Sequence, residues 1–285
     1  MIQSMTGYGK AVLQLPTKKI SIELKSLNSK SLDVNARMPS MYRAKELGIR
    51  KQVAKNLMRG KVDFSLFVEI TGEDTSSSIN KTVVNEYIKQ LKDVVDGDTT
   101  ELLKMAIRLP DAVTTERNDI DEEEWSIIAN GIDEAISKIV AYRKDEGAIL
   151  KQDFVNRIST LSTLLDAVIT MDPDRIDGVR ARLNKGVADL KEKVDENRFE
   201  QELVYYIEKF DITEEKVRLD NHLNYFTQAL NSEDSNGKKL GFISQEIGRE
   251  INTIGSKSNY APMQKLVVQM KDELEKIKEQ LLNVL

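Results

Sequence analysis

Alternating apolar and polar positions recur through the first 70 residues and predict β-strands. Ile20, Ile22 and Leu24 share one face of an extended segment, and residues 61–70 repeat the same period of two. Between them, residues 42–58 carry the period of a helix. The pattern predicts a β-rich N-terminal part that at least one helix crosses.

From residue 81 onward the apolar period changes to that of amphipathic helices. In the middle of the chain, helices are predicted at residues 82–95, 98–107, 122–145, 146–170, 174–193 and 196–209. Three more are predicted to close the chain, at residues 213–230, 237–254 and 262–283. Asp172-Pro173 is expected to end one helix, because proline lacks the N–H that a helix interior needs.

Two of the closing helices carry clear apolar stripes. The stripe of the second predicts a face against a core, and consists of Leu240, Ile243, Ile247, Ile251 and Ile254. The stripe of the third is heptad-like and consists of Leu266, Met270, Leu274, Ile277 and Leu281. Such a stripe requires a partner helix.

These elements predict an α+β fold. An N-terminal α/β sandwich-like domain is followed by a long-helix middle region and a C-terminal helical domain. The expected boundaries are residues 1–155 for the first domain, 156–210 for the connecting helices and 211–285 for the last domain.

Composition narrows the possible functions. The chain has 285 residues, no cysteine and one histidine, which excludes disulfide scaffolds, zinc–thiolate sites and multi-histidine metal sites within one subunit. No run approaches the ~18 apolar residues that span a bilayer, and the N-terminus has no apolar signal region. We therefore expect a soluble, cytoplasmic protein without a membrane partner.

Charge is distributed unevenly along the chain. The net charge is −5, yet residues 1–70 carry 13 Lys and Arg against 5 Asp and Glu, a net of +8. A basic segment on an acidic protein is typical of a module that binds a polyanion, because each phosphate contact releases counterions. A small α+β domain that exposes its lysines to solvent has the same composition.

Candidate chemistry lies in the closing helices. Glu246 and Glu250 are four residues apart and share one helical face, as do Arg218 and His222 on the preceding helix. A short connection predicts antiparallel packing, which brings His222 level with Glu246 and Arg218 level with Glu250. Two carboxylates and an imidazole suit Mn²⁺ or Mg²⁺, or an acid–base pair beside a metal. The same spacing would also occur on solvent-exposed helix faces whose histidine has only a structural role.

A short polar block separates the last two predicted helices. Residues 255–259 read Gly-Ser-Lys-Ser-Asn, and their backbone N–H groups together with Lys257 would suit a phosphate. An ordinary helix C-cap followed by a loop has a similar composition, so both interpretations stay open.

Several motifs along the chain form a common pattern. They are Met5-Thr6-Gly7-Tyr8-Gly9, Arg59-Gly60-Lys61, Arg143-x-x-Glu146-Gly147, Arg218-Leu219-x-x-His222 with Phe226, and the block from Gln245 to Asn259. Together they resemble the YicC/YloC family of bacterial proteins. The resemblance covers essentially the whole chain, and the long late block is its most specific part.

The resemblance implies a divalent-metal-dependent endoribonuclease that hydrolyses single-stranded RNA as a ring-like homo-oligomer, expected to be a hexamer. It implies that His222, Glu246 and Glu250 form the metal and catalytic cluster, with Arg218 and Arg249 beside the scissile phosphate. RNA contacts are expected from Lys25, Asn28, Lys30, Arg59, Lys61, Arg143 and Lys257. The chain departs from the family pattern at Gly248, at Tyr260 and at Lys30-Ser31.

Rival interpretations remain at this point. Without a metal, His222 would act as a general base on the ribose 2′-OH and leave a 2′,3′-cyclic phosphate. A non-catalytic RNA-binding adaptor would present transcripts to a separate ribonuclease, and would need only the basic segment and an oligomer. A structural coiled-coil protein would leave the basic segment unexplained.

Overall fold

The computed structural model describes residues 2–71, 78–114, 121–189, 195–232 and 235–285. These residues divide into two compact units. The sheet unit comprises Tyr8–Ser26 and Leu32–Val140, and the helical unit comprises Met1–Gly7, Leu27–Ser31 and Ala141–Leu285. Because the units are assembled from separate stretches of chain, they do not test the contiguous boundaries expected after residues 155 and 210, which stay predictions.

A mixed sheet of four strands, in the order β1-β2-β4-β3, forms the base of the sheet unit. The strands are β1 Gly7–Gln14, β2 Lys18–Leu27, β3 Leu32–Arg37 and β4 Gly60–Ile70. Strands β3 and β4 pair in parallel, and the chain crosses between them as the 3-10 helix Ser40–Lys45 and the α-helix α1 Glu46–Leu57. Burial of Ile20, Ile22 and Leu24 confirms the alternation predicted for β2.

Helices make up most of the remaining chain. They are α2 Lys81–Val94, α3 Thr99–Ala106, α4 Glu122–Asp189, α5 Glu196–Lys209, α6 Thr213–Leu230, α7 Gly237–Lys257 and α8 Ala261–Leu281. The two-residue strands β5 Ser78–Ile79 and β6 Val113–Thr114 pair antiparallel beside α2 and α3. The elements confirm the predicted α+β class. No helix in the described ranges is long and apolar enough to cross a membrane.

The sheet unit buries its core between the strands, α1 and the first turns of α4. A Cβ atom at Gly9 would lie 2.1 Å from the carbonyl oxygen of Ala135, so β1 passes directly over the backbone of α4. Glycine is therefore required at this position, because any side chain would clash with the backbone of α4.

Helix α4 runs through two positions where the sequence predicts boundaries. The breaks expected near residue 146 and at Asp172-Pro173 are wrong, since the helix continues to Asp189. Proline in a helix interior costs about 3 kcal/mol. Packing on both sides offsets that cost, because Val168 and Val179 are buried and Asp172 is ion-paired.

The first residues of the chain join the helical unit through polar contacts with α4. The N–H of Ser4 donates to the carbonyl of Arg143 at 3.0 Å, and Arg143 Nη2 donates to the carbonyl of Met5 at 3.0 Å. Thr6 Oγ1 donates to Glu146 Oε2 at 2.6 Å. Two sequence motifs nearly 140 residues apart therefore form one contact.

Gly147 completes this contact. A Cβ atom there would lie 2.2 Å from the carbonyl oxygen of Ile2, so only glycine fits without moving the backbone. On its other side the same segment bonds to the end of the chain, where Met5 N donates to Asn283 O and Leu285 N donates to Gln3 O. The N-terminal segment is thus held between α4 and the C-terminus.

The core of the helical unit combines α4 with α6, α7 and α8. All five residues of the predicted α7 stripe are buried, which confirms that face. In the α8 stripe, four residues are buried and Leu266 packs against them partly exposed. The heptad-like stripe of α8 thus finds its partners within this unit, chiefly on α7.

Candidate functional site

Helices α6 and α7 begin at well-capped ends. Asp211 Oδ1 accepts hydrogen bonds from the N–H and the hydroxyl of Thr213, at 3.0 and 2.7 Å, and these bonds lower the pKa of the Asp211 carboxyl. The Asn236 side chain accepts from the N–H of Lys239 at 3.0 Å. Side-chain acceptors at these positions satisfy N–H groups that the helix itself leaves unpaired.

Two side-chain contacts constrain the register of this antiparallel pair. Lys257 Nζ lies 2.6 Å from Glu215 Oε1, and Lys239 Nζ lies 4.8 Å from the ring centroid of Tyr225. Seven residues after Glu215 on α6 is His222, and seven residues before Lys257 on α7 is Glu250. Three residues before Tyr225 is again His222, and three residues after Lys239 is residue 242. The two counts differ by eight residues, so the contacts place His222 opposite residues 242–250 of α7, a stretch that includes Glu246 and Glu250.

The same contacts show which helix edges face each other. On α7, Lys239, Glu246, Glu250 and Lys257 are separated by 7, 4 and 7 residues, so they form one stripe. On α6, Glu215, Arg218, His222 and Tyr225 are separated by 3, 4 and 3 residues and form another. The two stripes contact each other near both ends, and His222, Glu246 and Glu250 lie between these contacts.

Glu250 is the most unusual member of this seam. It is 8% exposed, and within the described residues its carboxylate has no hydrogen-bond or ion-pair partner. Glu246 is half-buried and lies 2.8 Å from Arg249 Nη1, while His222 is also half-buried. The carboxylate oxygens of Glu250 are not among the fully buried atoms that lack a partner in the described residues, so they remain accessible and Glu250 is a candidate ligand for a cation.

Metal binding by this seam is not complete within one chain. In the described part of the chain, no group of three or more His, Asp or Glu side chains is placed to hold a metal ion. The donor types nevertheless fit Mn²⁺ or Mg²⁺, because Mg²⁺ commonly takes one or two carboxylates and fills its remaining positions with waters and substrate phosphates. The metal role of His222, Glu246 and Glu250 stays a prediction.

Both predicted phosphate-binding arginines are exposed at this seam. Arg218 pairs with Glu214 one turn earlier on α6, and Arg249 pairs with Glu246. Exposed pairs of this kind contribute little to stability. Either guanidinium can therefore exchange its carboxylate for a phosphate at small cost.

Lys257 has a different environment from the one predicted for a phosphate loop. Residues 255–257 continue α7, and the N–H of Ser258 donates to the carbonyl of Ile254 at 2.9 Å. The block is therefore a helix end, and its amides are occupied. The Lys257 ammonium neutralises Glu215, whose side chain is 7% exposed and whose Oε2 has no partner among the described residues.

Replacing Lys257 with methionine is expected to lower the free energy of unfolding by about 2 kcal/mol. Removing one partner of a fully buried ion pair costs about 3–5 kcal/mol. The expected loss is smaller here because the Lys257 side chain is 33% exposed. Urea denaturation measures it. The double variant Lys257→Met/Glu215→Leu should recover most of the loss, whereas unchanged stability with weaker RNA binding in Lys257→Met would assign the ammonium to RNA instead.

The remaining predicted RNA contacts fall in both units. In the sheet unit, Lys25 and Lys61 are exposed and Arg59 is half-buried. Lys25 Nζ lies 3.7 Å from Glu23 Oε2 and 5.8 Å from the ring centroid of Tyr8. In the helical unit, Lys30 is exposed, and Asn28 Nδ2 donates to the carbonyl of Leu282 at 2.6 Å.

Arg143 does not lie on the surface. It is 1% exposed, and burial lowers the pKa of its guanidinium to about 10, so it remains charged at neutral pH. Its charge is turned toward the backbone of the N-terminal segment. The structure gives Arg143 an anchoring position, and an RNA contact would require this side chain to leave the core.

Sequence reasoning missed the residues that bracket the candidate seam. Glu215 lies seven residues before His222, and Lys239 lies seven residues before Glu246. Two helical turns separate the members of each pair, so each pair occupies one helix edge. The heptad spacing was a usable signal, although only a structure identifies which edges meet.

Comparison with known proteins covers nearly the whole chain. Residues 2–152 match the family described as "Endoribonuclease YicC-like, N-terminal region", and residues 168–285 match "Endoribonuclease YicC-like, C-terminal". A relative from Clostridioides difficile (strain 630), named "Probable endoribonuclease YicC", is 32% identical over 293 residues, with 100% of both chains covered. A Haemophilus influenzae relative of the same name is 28% identical over 287 residues, again with 100% of both chains covered.

Proposed function

We propose that this chain, which belongs to the YicC-like endoribonuclease family, is itself an endoribonuclease that hydrolyses single-stranded RNA with a divalent metal, Mn²⁺ or Mg²⁺. The single observation that carries the proposal is the seam between α6 and α7. That seam carries Glu250, whose carboxylate has no partner among the described residues, on a stretch of α7 opposite the only histidine of the sequence. The names of the matched family and of the two relatives support RNA as the substrate.

In this mechanism Glu250 and Glu246 would hold the metal, and His222 would supply a further donor or act as a proton acceptor. A bound divalent ion polarises the phosphate and makes water a stronger acid. The imidazole of His222 takes a proton at a ring nitrogen from the attacking water and can return it to the leaving oxygen. Arg218 and Arg249 leave their carboxylate partners and stabilise the negative charge that develops on the phosphate oxygens.

Further ligands are proposed to come from a neighbouring copy of the chain. Within the described residues no three such side chains are placed to hold an ion, so a neighbouring copy in a symmetric assembly would supply the missing ligands. The family resemblance favours a homohexamer. Light scattering after size exclusion tests this, since a monomer that cleaves at full rate would contradict the shared site. We expect the activity in the cytoplasm, where single-stranded transcripts are available.

The basic N-terminal segment is proposed to hold the RNA backbone. For single strands, the slope of log affinity against log salt changes by about 0.7 for each phosphate contact. The double variant Lys25→Gln/Lys61→Gln should therefore weaken RNA binding for all sequences and reduce that slope by about 1.4. Filter binding at several salt concentrations measures it. Lys89→Gln, an exposed lysine outside the segment, is the control, and equal slopes in all three proteins would exclude this role.

A direct test of the function uses a labelled single-stranded RNA incubated with Mn²⁺, with Mg²⁺ and with EDTA. Cleavage in either metal and none in EDTA supports the proposal. Cleavage in EDTA that leaves 2′,3′-cyclic phosphates and fails on 2′-deoxy substrates would instead assign His222 as a metal-free base. Binding without cleavage in every condition would make the protein an RNA-binding adaptor for another ribonuclease.

A further inference from the structure

A pocket of about 290 Å³ in the helical unit uses none of the residues discussed above as catalytic. Its walls come from α4, from the end of α5 and from the turn after α7. They include Arg175, Arg182, Tyr206, Phe210 and Asn259, with aliphatic side chains of α4 between the arginines. The volume lies near the lower end of the range for small-ligand sites, about 300–1,000 Å³.

The charges around this pocket favour an anion. Asp172 lies 2.7 Å from Arg175 Nη2 and 2.7 Å from Lys216 Nζ, so one carboxylate serves two cations. Arg182 Nε donates to the carbonyl of Gly178 at 3.3 Å, and in the described part of the chain Arg182 has no acidic partner. Among the described residues, no Asp or Glu lines the pocket. Arg182 therefore brings a positive charge without an acidic partner to the pocket, and Arg175 brings a second that shares Asp172 with Lys216.

The opposite wall favours an aromatic group. The rings of Tyr206 and Phe210 are stacked with centroids 6.2 Å apart and planes inclined by 17°, and both line the pocket. An aromatic ligand can extend such a stack. The amide of Asn259 offers one acceptor and two donors, which match the edge of a nucleobase.

We propose that this pocket binds a nucleoside monophosphate unit. The base stacks on the Tyr206 and Phe210 wall, and the phosphate pairs with Arg182 and Arg175, for which an arginine fork is well suited. The unit is either a free mononucleotide or the phosphorylated end of an RNA. The proposal goes beyond the catalytic one, because the pocket binds its ligand without a metal and without His222, Glu246 or Glu250.

Calorimetric titration of the full-length protein with AMP, in EDTA, tests the pocket directly. The variants Arg182→Gln and Tyr206→Leu should each weaken AMP binding about tenfold or more, since a lost charge pair or base stack is worth at least that factor. Arg180→Gln is the matched control, because Arg180 is exposed on the same helix but does not line the pocket. Thermal melting confirms that each variant is folded.

Two further probes separate the parts of the ligand and its source. Ribose 5-phosphate lacks the base and should bind at least about tenfold more weakly than AMP. The second probe compares RNA that carries a 5′-phosphate with the same RNA that carries a 5′-hydroxyl. Tighter binding of the phosphorylated form, lost in Arg182→Gln, would identify an RNA end as the ligand. AMP binding without that difference identifies a free nucleotide. No binding of AMP at millimolar concentration, or equal binding by all the variants, would overturn the proposal whatever the cleavage assay shows.

Discussion

Replacing Glu250 with glutamine is expected to reduce metal-dependent RNA cleavage by about a hundredfold or more. Glutamine has the same shape but lacks the negative charge that a divalent ion requires. Even residues that only support metal ligands contribute about 10- to 100-fold, so loss of a ligand should exceed that range. Single-turnover cleavage of a labelled RNA at saturating protein measures the chemical step without a contribution from binding.

The surroundings of Glu250 also predict the stability of the Glu250→Gln variant. Because the carboxylate has no hydrogen-bond or ion-pair partner among the described residues, replacing it with an amide breaks no such contact and should leave stability unchanged. Glu246→Gln should reduce cleavage as well, and it also frees Arg249 from its ion pair. Glu279→Gln on α8 is the control, an exposed carboxylate away from the seam. Full activity in Glu250→Gln would remove this residue from the mechanism.

Substituting alanine for Gly147 is expected to destabilise the helical unit by about 3 kcal/mol. The added Cβ atom would lie 2.2 Å from the backbone oxygen of Ile2, so the N-terminal segment would have to move. Such a shift strains the bonds between that segment and Arg143 and Glu146. Overpacking costs about 1–3 kcal/mol where side chains can adjust, and here backbone meets backbone. The gain in helix propensity, about 1 kcal/mol, offsets only part of it.

Gly178 provides a matched control for Gly147. It lies in the same helix, and a Cβ atom there would meet nothing within 4 Å. Gly178→Ala should therefore raise stability by about 0.5–1 kcal/mol through helix propensity alone. Urea denaturation followed by far-ultraviolet circular dichroism compares both variants with the unmodified protein. Equal stabilisation by both substitutions would mean that the close contact with Ile2 does not limit this position.

Much of the helical unit could be predicted from the sequence. The stripes of α7 and α8 repeat at helical spacing and contain only apolar residues, so burial of one face followed directly. The antiparallel pairing of α6 and α7 followed from the short connection between them. The position of His222 opposite the middle of α7 needed only the rise per residue of a helix, whereas its meeting with Glu246 and Glu250 stays a prediction.

The errors have identifiable physical causes. The sequence predicts a break at Pro173, but tertiary packing of Val168 and Val179 offsets the lost hydrogen bond. The RNA contact expected of Arg143 followed from the family resemblance, whereas in the structure its guanidinium bonds to a segment nearly 140 residues away in sequence. Local patterns do not report such distant partners, and the pairing of Lys257 with Glu215 was missed for the same reason.

The most direct test of the central claim compares the unmodified protein with the double variant Glu246→Gln/Glu250→Gln, purified identically. RNA binding and single-turnover cleavage are measured on the same preparations, in Mn²⁺ and in EDTA. The account predicts that both proteins bind the RNA, and that only the unmodified protein cleaves it and only in the presence of metal. Equal cleavage by both proteins would contradict it, because the reaction would then occur away from the seam between α6 and α7.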